Sequence, residues 1–308
     1  MRNVSEHLIA DLINSGVDTF FGIQGGACAR LIENVIKFKG KFIPVLNEQA
    51  AGYYAHGYYM ANNKTAGLIF TTGPGLTNGI SGIAACYYDR VPLVTLVGQV
   101  PKRLNIAKQT RTRMVGFQEV PHLDICKPIS DFTYKIEKPE NYLKNRNKII
   151  SNVNSKVQTI EILDDVQRKK IFNTKALSNK TYHQKKFVIQ KNIDRTISNS
   201  KYPIILVGAG LTRLNEKKKV LDQLKRSNIN FATSWGGQTI QEYISNKYNY
   251  LGLFGNHNPG LANEEIKKAD LIIALGCSLL QHQVGKNYND FAPLSKIIFV
   301  NNDNNECR

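Results

Sequence analysis

Four short apolar runs, Val17–Ile23, Phe42–Leu46, Ala66–Thr71 and Pro92–Val97, are separated by segments of helical periodicity, and this alternation constrains the fold more than any other feature. The first helix opens at a capping box, Asn3 with Glu6, carries Val4, Leu8, Leu12 and Ile13 on one face, and closes at Gly16. A second carries Leu31, Ile32, Val35 and Ile36, a third runs from about Gln49 to Asn62, and a fourth from Asn78, its capping residue, to Tyr88. Strand alternating with helix means a parallel sheet covered on both faces.

Residues 131–200 lose this rhythm and are rich in Lys, Asn and Ser, apart from the β-like run Val157–Leu163 ahead of Asp164-Asp165-Val166. From Pro203 the alternation resumes, with strands Ile204–Val207, Phe231–Ser234, Asp270–Leu275 and Lys296–Val300. Between them lie an amphipathic helix with Val220, Leu221 and Leu224, and a second helix over Ala262–Ala269. The expected fold is α/β, two doubly wound parallel-sheet domains over residues 1–165 and 199–308, with 166–198 as linker. A chain of 308 residues accommodates two domains of about 100–200 residues each.

The net charge of +17 raises the question of nucleic acid, but Lys and Arg are scattered, dense only at 144–148, 168–170 and 217–219, without interleaved aromatic residues. No nucleic-acid partner is expected. Five cysteines, widely spaced and never Cys-x-x-Cys, indicate neither a disulfide framework nor a zinc site. No run approaches the roughly 18 apolar residues of a membrane span, and Glu6 and Asp11 interrupt the N-terminal apolar stretch. A cytoplasmic protein without a membrane partner is the expectation.

Glu48, in Asn47-Glu48-Gln49-Ala50-Ala51-Gly52, stands where a strand hands over to a helix, the place at which open α/β sheets bind ligands. A helix-start glutamate that only complements the macrodipole, at about 0.3–1 kcal/mol, is the plainer reading. Around it, in order, stand Phe21-Gly22-Ile23-Gln24-Gly25-Gly26-Ala27, Thr71-Thr72-Gly73-Pro74-Gly75-Leu76-Thr77-Asn78, Gly98-Gln99-Val100 and Phe117-Gln118-Glu119. In register, these stretches resemble the N-terminal, pyrimidine-binding domain of thiamin-diphosphate enzymes of the acetolactate synthase group, which also includes pyruvate oxidase and benzoylformate decarboxylase. The resemblance covers residues 1 to about 130, and more loosely 200–308 as a Rossmann-like central domain, through Leu251–Gly255 and Ala269–Gly276. Residues 131–200 match poorly, and Asn152–Lys156 stands where the family has a Gly-Pro turn.

The resemblance implies that Glu48 is the carboxyl, sequestered from water, that manages a proton at N1′ of the cofactor's aminopyrimidine. It implies that Gln24, Gly25 and Gly26 approach the cofactor, with Gln24 where many relatives have proline; a tight turn is the alternative for the two glycines. Thr72, Pro74 and Asn78 would face the pyrimidine, and Gln118 would lie near cofactor and substrate or simply pack its loop. The turn is no P-loop, since Gly-Lys-Ser/Thr is missing. Lys108–Arg113 replaces an acidic stretch of acetolactate synthases, so Arg111 or Arg113 either holds an acidic substrate or is merely solvated. Tyr53, Tyr54, Tyr58 and Tyr59 read as packing or a subunit interface. His56 and His122, with no partner at catalytic spacing in sequence, read as structural.

In the resembled enzymes a third domain grips the diphosphate through Mg²⁺ with a Gly-Asp-Gly stretch, and no Gly-Asp-Gly occurs in these 308 residues. The expectation is a half-site for thiamin diphosphate with no metal ligands of its own, in a truncated or split chain. Completion would come from a homodimer or a partner chain bearing the diphosphate-binding domain. Some relatives hold FAD across the central domain and others leave it empty; Gly208-Ala209-Gly210 is a weak dinucleotide signal because Arg213 takes the third glycine's place. The implied activity is decarboxylation of a 2-oxo acid and transfer of the remainder to a second carbonyl. A simple 2-oxo-acid decarboxylase, a carboligase of a specialised pathway and a non-catalytic remnant or interaction subunit are the alternatives.

Overall fold

The computed structural model describes residues 2–171, 193–214, 217–240, 249–256, 258 and 260–301. The chain divides into two compact units, Met1–Lys185 and Lys186–Arg308. The linker expected at 166–198 lies for its greater part outside the described residues.

The first unit runs α1 (Val4–Asn14), β1 (Thr19–Gly22), α2 (Ala29–Lys37), β2 (Lys41–Pro44), α3 (Glu48–Asn62), β3 (Ala66–Phe70), α4 (Pro74–Tyr88) and β4 (Leu93–Gln99). It continues with α5 (Ala107–Thr110), α6 (His122–Cys126), β5 (Phe132–Ile136), α7 (Pro139–Ser151), β6 (Val157–Leu163) and α8 (Asp164–Gln167). The six strands pair in parallel in the order β2-β1-β3-β4-β6-β5. Winding reverses between β1 and β3, which makes the gap beyond their carboxyl ends the ligand-binding crevice of such a sheet.

Alternation along the strands feeds two cores. Phe20, Ile69, Val94 and Ile160 bury against Leu8 of α1, Leu31 and Val35 of α2 and Tyr142 and Ile149 of α7. Phe21, Leu68, Leu93 and Val97 bury against Ala51 and Ala55 of α3 and Leu76, Ile83 and Cys86 of α4. Alternate side chains of a strand point to opposite faces, so each neighbouring pair divides between the layers.

The capping box forms as the spacing dictates: the Asn3 side chain accepts from the Glu6 N–H at 2.8 Å, and the Glu6 carboxylate from the Asn3 N–H at 2.7 Å. Two expectations need correcting. Helix α4 starts at Pro74, so Asn78 is not its cap; Gly73, at φ 64°, turns the chain straight out of β3, and proline takes the first helical position, where no N–H is needed. Residues 131–171 are not irregular, because β5 and α7 add a further βα unit there. Helix α7 buries only Tyr142 and Ile149 in a segment dominated by Asn and Lys, too thin a stripe to register as periodicity. In place of a Gly-Pro turn, Asn152 carries the connection into β6: its amide donates to Lys148 O at 2.7 Å and its carbonyl accepts from Lys156 N at 3.0 Å.

Helices α3 and α4 touch backbone to backbone at Gly52 and Gly82, where a Cβ on Gly52 would lie 2.4 Å from Gly82 Cα. Glu48 and Asn78 are each four residues earlier on the same two helices, one turn above that contact. Gly82→Ala is expected to cost about 1–3 kcal/mol through overpacking, read as a fall in the urea midpoint.

The second unit comprises α9 (Ile193–Asn199), β7 (Pro203–Val207), α10 (Ala209–Thr212), α11 (Lys217–Arg226), β8 (Asn230–Thr233), β9 (Tyr250–Leu253), α12 (Leu261–Lys268), β10 (Leu271–Leu275), α13 (Gln281–Val284) and β11 (Lys296–Val300). Its parallel sheet has the order β11-β10-β7-β8-β9. The α/β expectation of two doubly wound parallel sheets therefore holds. Among the described residues no helix is long and apolar enough to cross a membrane.

Candidate active site

The reversal point of the first sheet gathers three loops, and small residues let them interlock. A Cβ on Gly25 would lie 2.5 Å from Thr71 Cβ, one on Gly75 2.7 Å from Thr71 Cγ2, and one on Gly73 2.7 Å from Gln118 Cβ. The loop after β1, the turn after β3 and the segment leading to α6 thus close on one another at the carboxyl edge. Gly25 is engaged with Thr71, whereas Gly26 is exposed, with no atom within 4 Å of where a Cβ would stand, and Gln24, on the other side of Gly25, is exposed as well.

Glu48 is the first residue of α3, and the Asn47 side chain caps the helix by accepting from the Gln49 N–H at 2.8 Å. Across the helix pair, Asn78 Nδ2 lies 3.4 Å from Glu48 Oε2, so the amide donates to the carboxylate. Pro74 is exposed at the start of α4, one turn before Asn78. The expected sequestration of Glu48 is not found: its side chain is partly exposed. The reason is position, since β2 is an edge strand, Leu46 is fully exposed, and Ile43, Tyr53 and Tyr54 leave apolar surface bare beside it. Tyr58 and Tyr59, by contrast, pack against the core.

Thr72 is buried, and its hydroxyl lies 2.9 Å from both Gln99 Oε1 and the Gln118 carbonyl. Gln118 itself has φ 59°, a left-handed backbone that a residue with a Cβ adopts only when its surroundings hold it. Next to it, Glu119 ties the loop together. One carboxylate oxygen accepts from Asn105 Nδ2 and Ala107 N, the other from Val115 N and Gly116 N, all within 3.0–3.2 Å. Arg111 and Arg113 are exposed on this loop, and Lys108 is 4.0 Å from Asp124.

Both histidines have carboxylate partners that sequence spacing hid. His56 Nε2 is 2.7 Å from Asp89 Oδ2, and His122 Nδ1 is 2.8 Å from Glu161 Oε2. Those partners are 33 and 39 residues away along the chain, beyond any local motif. Cys28 offers no nucleophile: burial pushes its thiol up to about 11, and Sγ donates to Gly25 O at 3.4 Å. Among the described residues no group of three or more His, Cys, Asp or Glu is placed to hold a metal ion.

The donor set fits one half of thiamin diphosphate. A carboxylate steadied by an amide, flanked by small residues and a proline-led helix start, suits a flat aminopyrimidine with a basic ring nitrogen. In the second unit the Gly208–Gly210 turn packs against the loop after β10. A Cβ on Gly208 would lie 2.2 Å from Gly276 O, and Gly210 N donates to that carbonyl at 3.0 Å, so packing against the loop after β10 accounts for both glycines.

Residues 2–122 match the family model of the thiamine pyrophosphate enzyme N-terminal TPP binding domain, and residues 191–308 match that of the central domain. Among curated proteins, the chain is 28% identical to a probable acetolactate synthase large subunit of Methanocaldococcus jannaschii over 97% of this chain and 51% of that protein. It is 27% identical to the acetolactate synthase large subunit of Haemophilus influenzae over 97% and 52%, respectively. It is also 27% identical to the mitochondrial acetolactate synthase catalytic subunit of Saccharomyces cerevisiae, over 90% and 41%. The chain spans about half the length of the curated relatives it matches.

Proposed function

The chain belongs to the thiamine pyrophosphate enzyme family, and from that membership we propose that it supplies the aminopyrimidine half of an acetolactate-synthase-like active site. The observation that carries the proposal is Glu48 at the mouth of the crevice with Asn78 Nδ2 at 3.4 Å, on two helices locked together one turn below. When bound, thiamin diphosphate supplies the electron sink for decarboxylating a 2-oxo acid and passing the remainder to a second carbonyl. Glu48 holds and exchanges the proton at N1′, and Asn78 keeps its carboxylate aimed. Gln24, Gly25, Gly26, Thr72 and Pro74 form the wall against the ring, and Gln118 presents its side chain towards the substrate.

The groups that grip the diphosphate and Mg²⁺ are proposed to lie outside these 308 residues, in a second subunit or a partner chain. Support comes from the bare apolar surface of Ile43, Leu46, Tyr53 and Tyr54 beside a partly exposed Glu48. A covering surface there would exclude water from the carboxyl. The Gly208–Gly210 turn adds no support for FAD, since packing on Gly276 already accounts for both glycines, and FAD is no part of the proposal. A cytoplasmic location completes the reading.

Calorimetric titration with thiamin diphosphate and Mg²⁺, in the presence and absence of a polypeptide carrying the diphosphate-binding domain, tests it. Heat of binding is expected only with that polypeptide present. Its absence under both conditions would favour a non-catalytic interaction subunit.

The exposed Arg111 and Arg113 favour a second reading within the same chemistry, a carboligase or decarboxylase acting on a more acidic 2-oxo acid. Under it, Arg111→Ala raises KM for a dicarboxylic substrate while kcat and the KM for pyruvate hold steady.

A further inference from the structure

Behind the Thr72-Gly73-Pro74 turn lies a buried polar network that the proposed chemistry does not use. His122 and Glu161 are 0% and 3% exposed, Gln99 is 1% exposed, and all three belong to different elements: α6, β6 and the end of β4. His122 Nε2 accepts from the Gly73 N–H at 2.9 Å. A neutral imidazole carries one ring hydrogen, so with Nε2 accepting, that hydrogen sits on Nδ1 and donates to Glu161 Oε2 at 2.8 Å.

Gln99 is oriented by the same logic. Its amide nitrogen faces two acceptors, Val120 O at 3.0 Å and Glu161 Oε2 at 3.2 Å, while its oxygen accepts from Val100 N and faces the Thr72 hydroxyl, each at 2.9 Å. The 3.2 Å approach of Gln99 Nε2 to His122 Nδ1 then brings two donors side by side and is no hydrogen bond. Glu161 thereby addresses both halves of the turn, Gly73 through His122 and Thr72 through Gln99.

We propose that His122 and Glu161 are positioning residues for the cofactor-facing turn: Glu161 selects the Nδ1–H tautomer, which presents Nε2 as the acceptor that holds Gly73 in place. The identity of the cofactor rests on the function proposed above; the positioning does not. Gly73 is where such a restraint acts most directly, because φ 64° and ψ −120° are open to glycine alone and the residue stands at the N-cap position, immediately before α4. Its neighbour across the turn, Gln118, stands close enough that a Cβ on Gly73 would meet its Cβ at 2.7 Å, and its carbonyl shares the single Thr72 hydroxyl hydrogen with Gln99 Oε1. An apolar pair at 122 and 161 would fill the same volume but leave the Gly73 N–H buried without an acceptor.

The test uses the full chain and needs no cofactor for its first two readouts. The ¹⁵N spectrum of the His122 ring is expected to show Nδ1 protonated; an Nε2-protonated ring overturns the proposal. Amide hydrogen exchange at Gly73, measured against Leu68 and Phe70 of β3, is expected to quicken by about ten- to a hundredfold in His122→Leu, the range for an orphaned buried donor. His122→Gln, whose side-chain oxygen can reach the Nε2 position, is expected to restore most of the protection. If both variants accelerate Gly73 and β3 alike, the role is merely structural and the proposal falls. With a diphosphate-binding partner present, thiamin diphosphate affinity is expected to drop in His122→Leu and recover in His122→Gln. Should the unmutated chain bind no thiamin diphosphate, the proposed function fails while the exchange result still decides the positioning.

Discussion

Glu48→Gln, in a complex completed by a diphosphate-binding partner, is expected to slow exchange of the thiazolium C2 hydrogen by about 10²–10⁴-fold, the contribution of a positioned acid–base group. The substitution is close to isosteric, so helix α3, its Asn47 cap and the packing of Gly52 on Gly82 should persist. What changes is the ability to take up and return a proton at N1′, which an amide lacks. Deuterium exchange at C2 followed by proton NMR reads this step apart from substrate binding and product release. Asn78→Ala is the graded companion, since it leaves the carboxyl in place and removes only the 3.4 Å amide contact. Exchange at an undiminished rate in Glu48→Gln would remove Glu48 from the mechanism.

Asp11→Ala should destabilise the first unit by about 3–5 kcal/mol, the cost of removing one member of a buried ion pair. Asp11 accepts from Arg146 Nε at 2.6 Å and Nη2 at 2.8 Å, and the Tyr142 hydroxyl donates to the same carboxylate. Burial, and after it the Asp11 charge, hold that hydroxyl well above the usual tyrosine range, so it stays a donor at any physiological pH. Asp11 and Arg146 side chains are 6% and 12% exposed, so water cannot replace what is lost. The pair clamps α1 to α7 across 135 residues of sequence and away from the crevice, so stability should fall without a matching loss of Gly73 protection relative to β3. Urea unfolding of Asp11→Ala, Arg146→Met and the double variant gives the coupling; additive losses would show that the contact contributes nothing beyond its separate halves.

The βα rhythm of the first unit was legible because it is written locally, in apolar runs such as Ala66–Phe70 and in the punctuation of Gly73 and Pro74. Strand β6 was legible for the same reason, with every residue from Val157 to Leu163 buried. Helix α7 was not, because Tyr142 and Ile149 are its only buried residues and its anchoring depends on Asp11, far away in α1. Helix α4 starts four residues earlier than its sequence suggests, since Asn78 looks like a cap and only the left-handed geometry of Gly73 moves the boundary. Among the site residues, Glu48, Thr72, Pro74, Asn78 and Gln118 stood out by motif. Gln99 was visible within Gly98-Gln99-Val100, but its partners were not, and Glu161 belongs to no local motif in a strand that also carries Gln158 and Thr159.

Chain order, the strand-to-helix placement of Glu48 and the glycines at the crevice follow from the sequence by itself, because backbone periodicity and turn chemistry are decided by neighbours a few residues apart. Tertiary structure alone decided which carboxylate meets which base, how closely α3 and α4 approach, and how much water reaches Glu48. Those outcomes depend on groups brought together from 30 to 135 positions apart, where burial and hydrogen-bond geometry rather than local propensity select the partner.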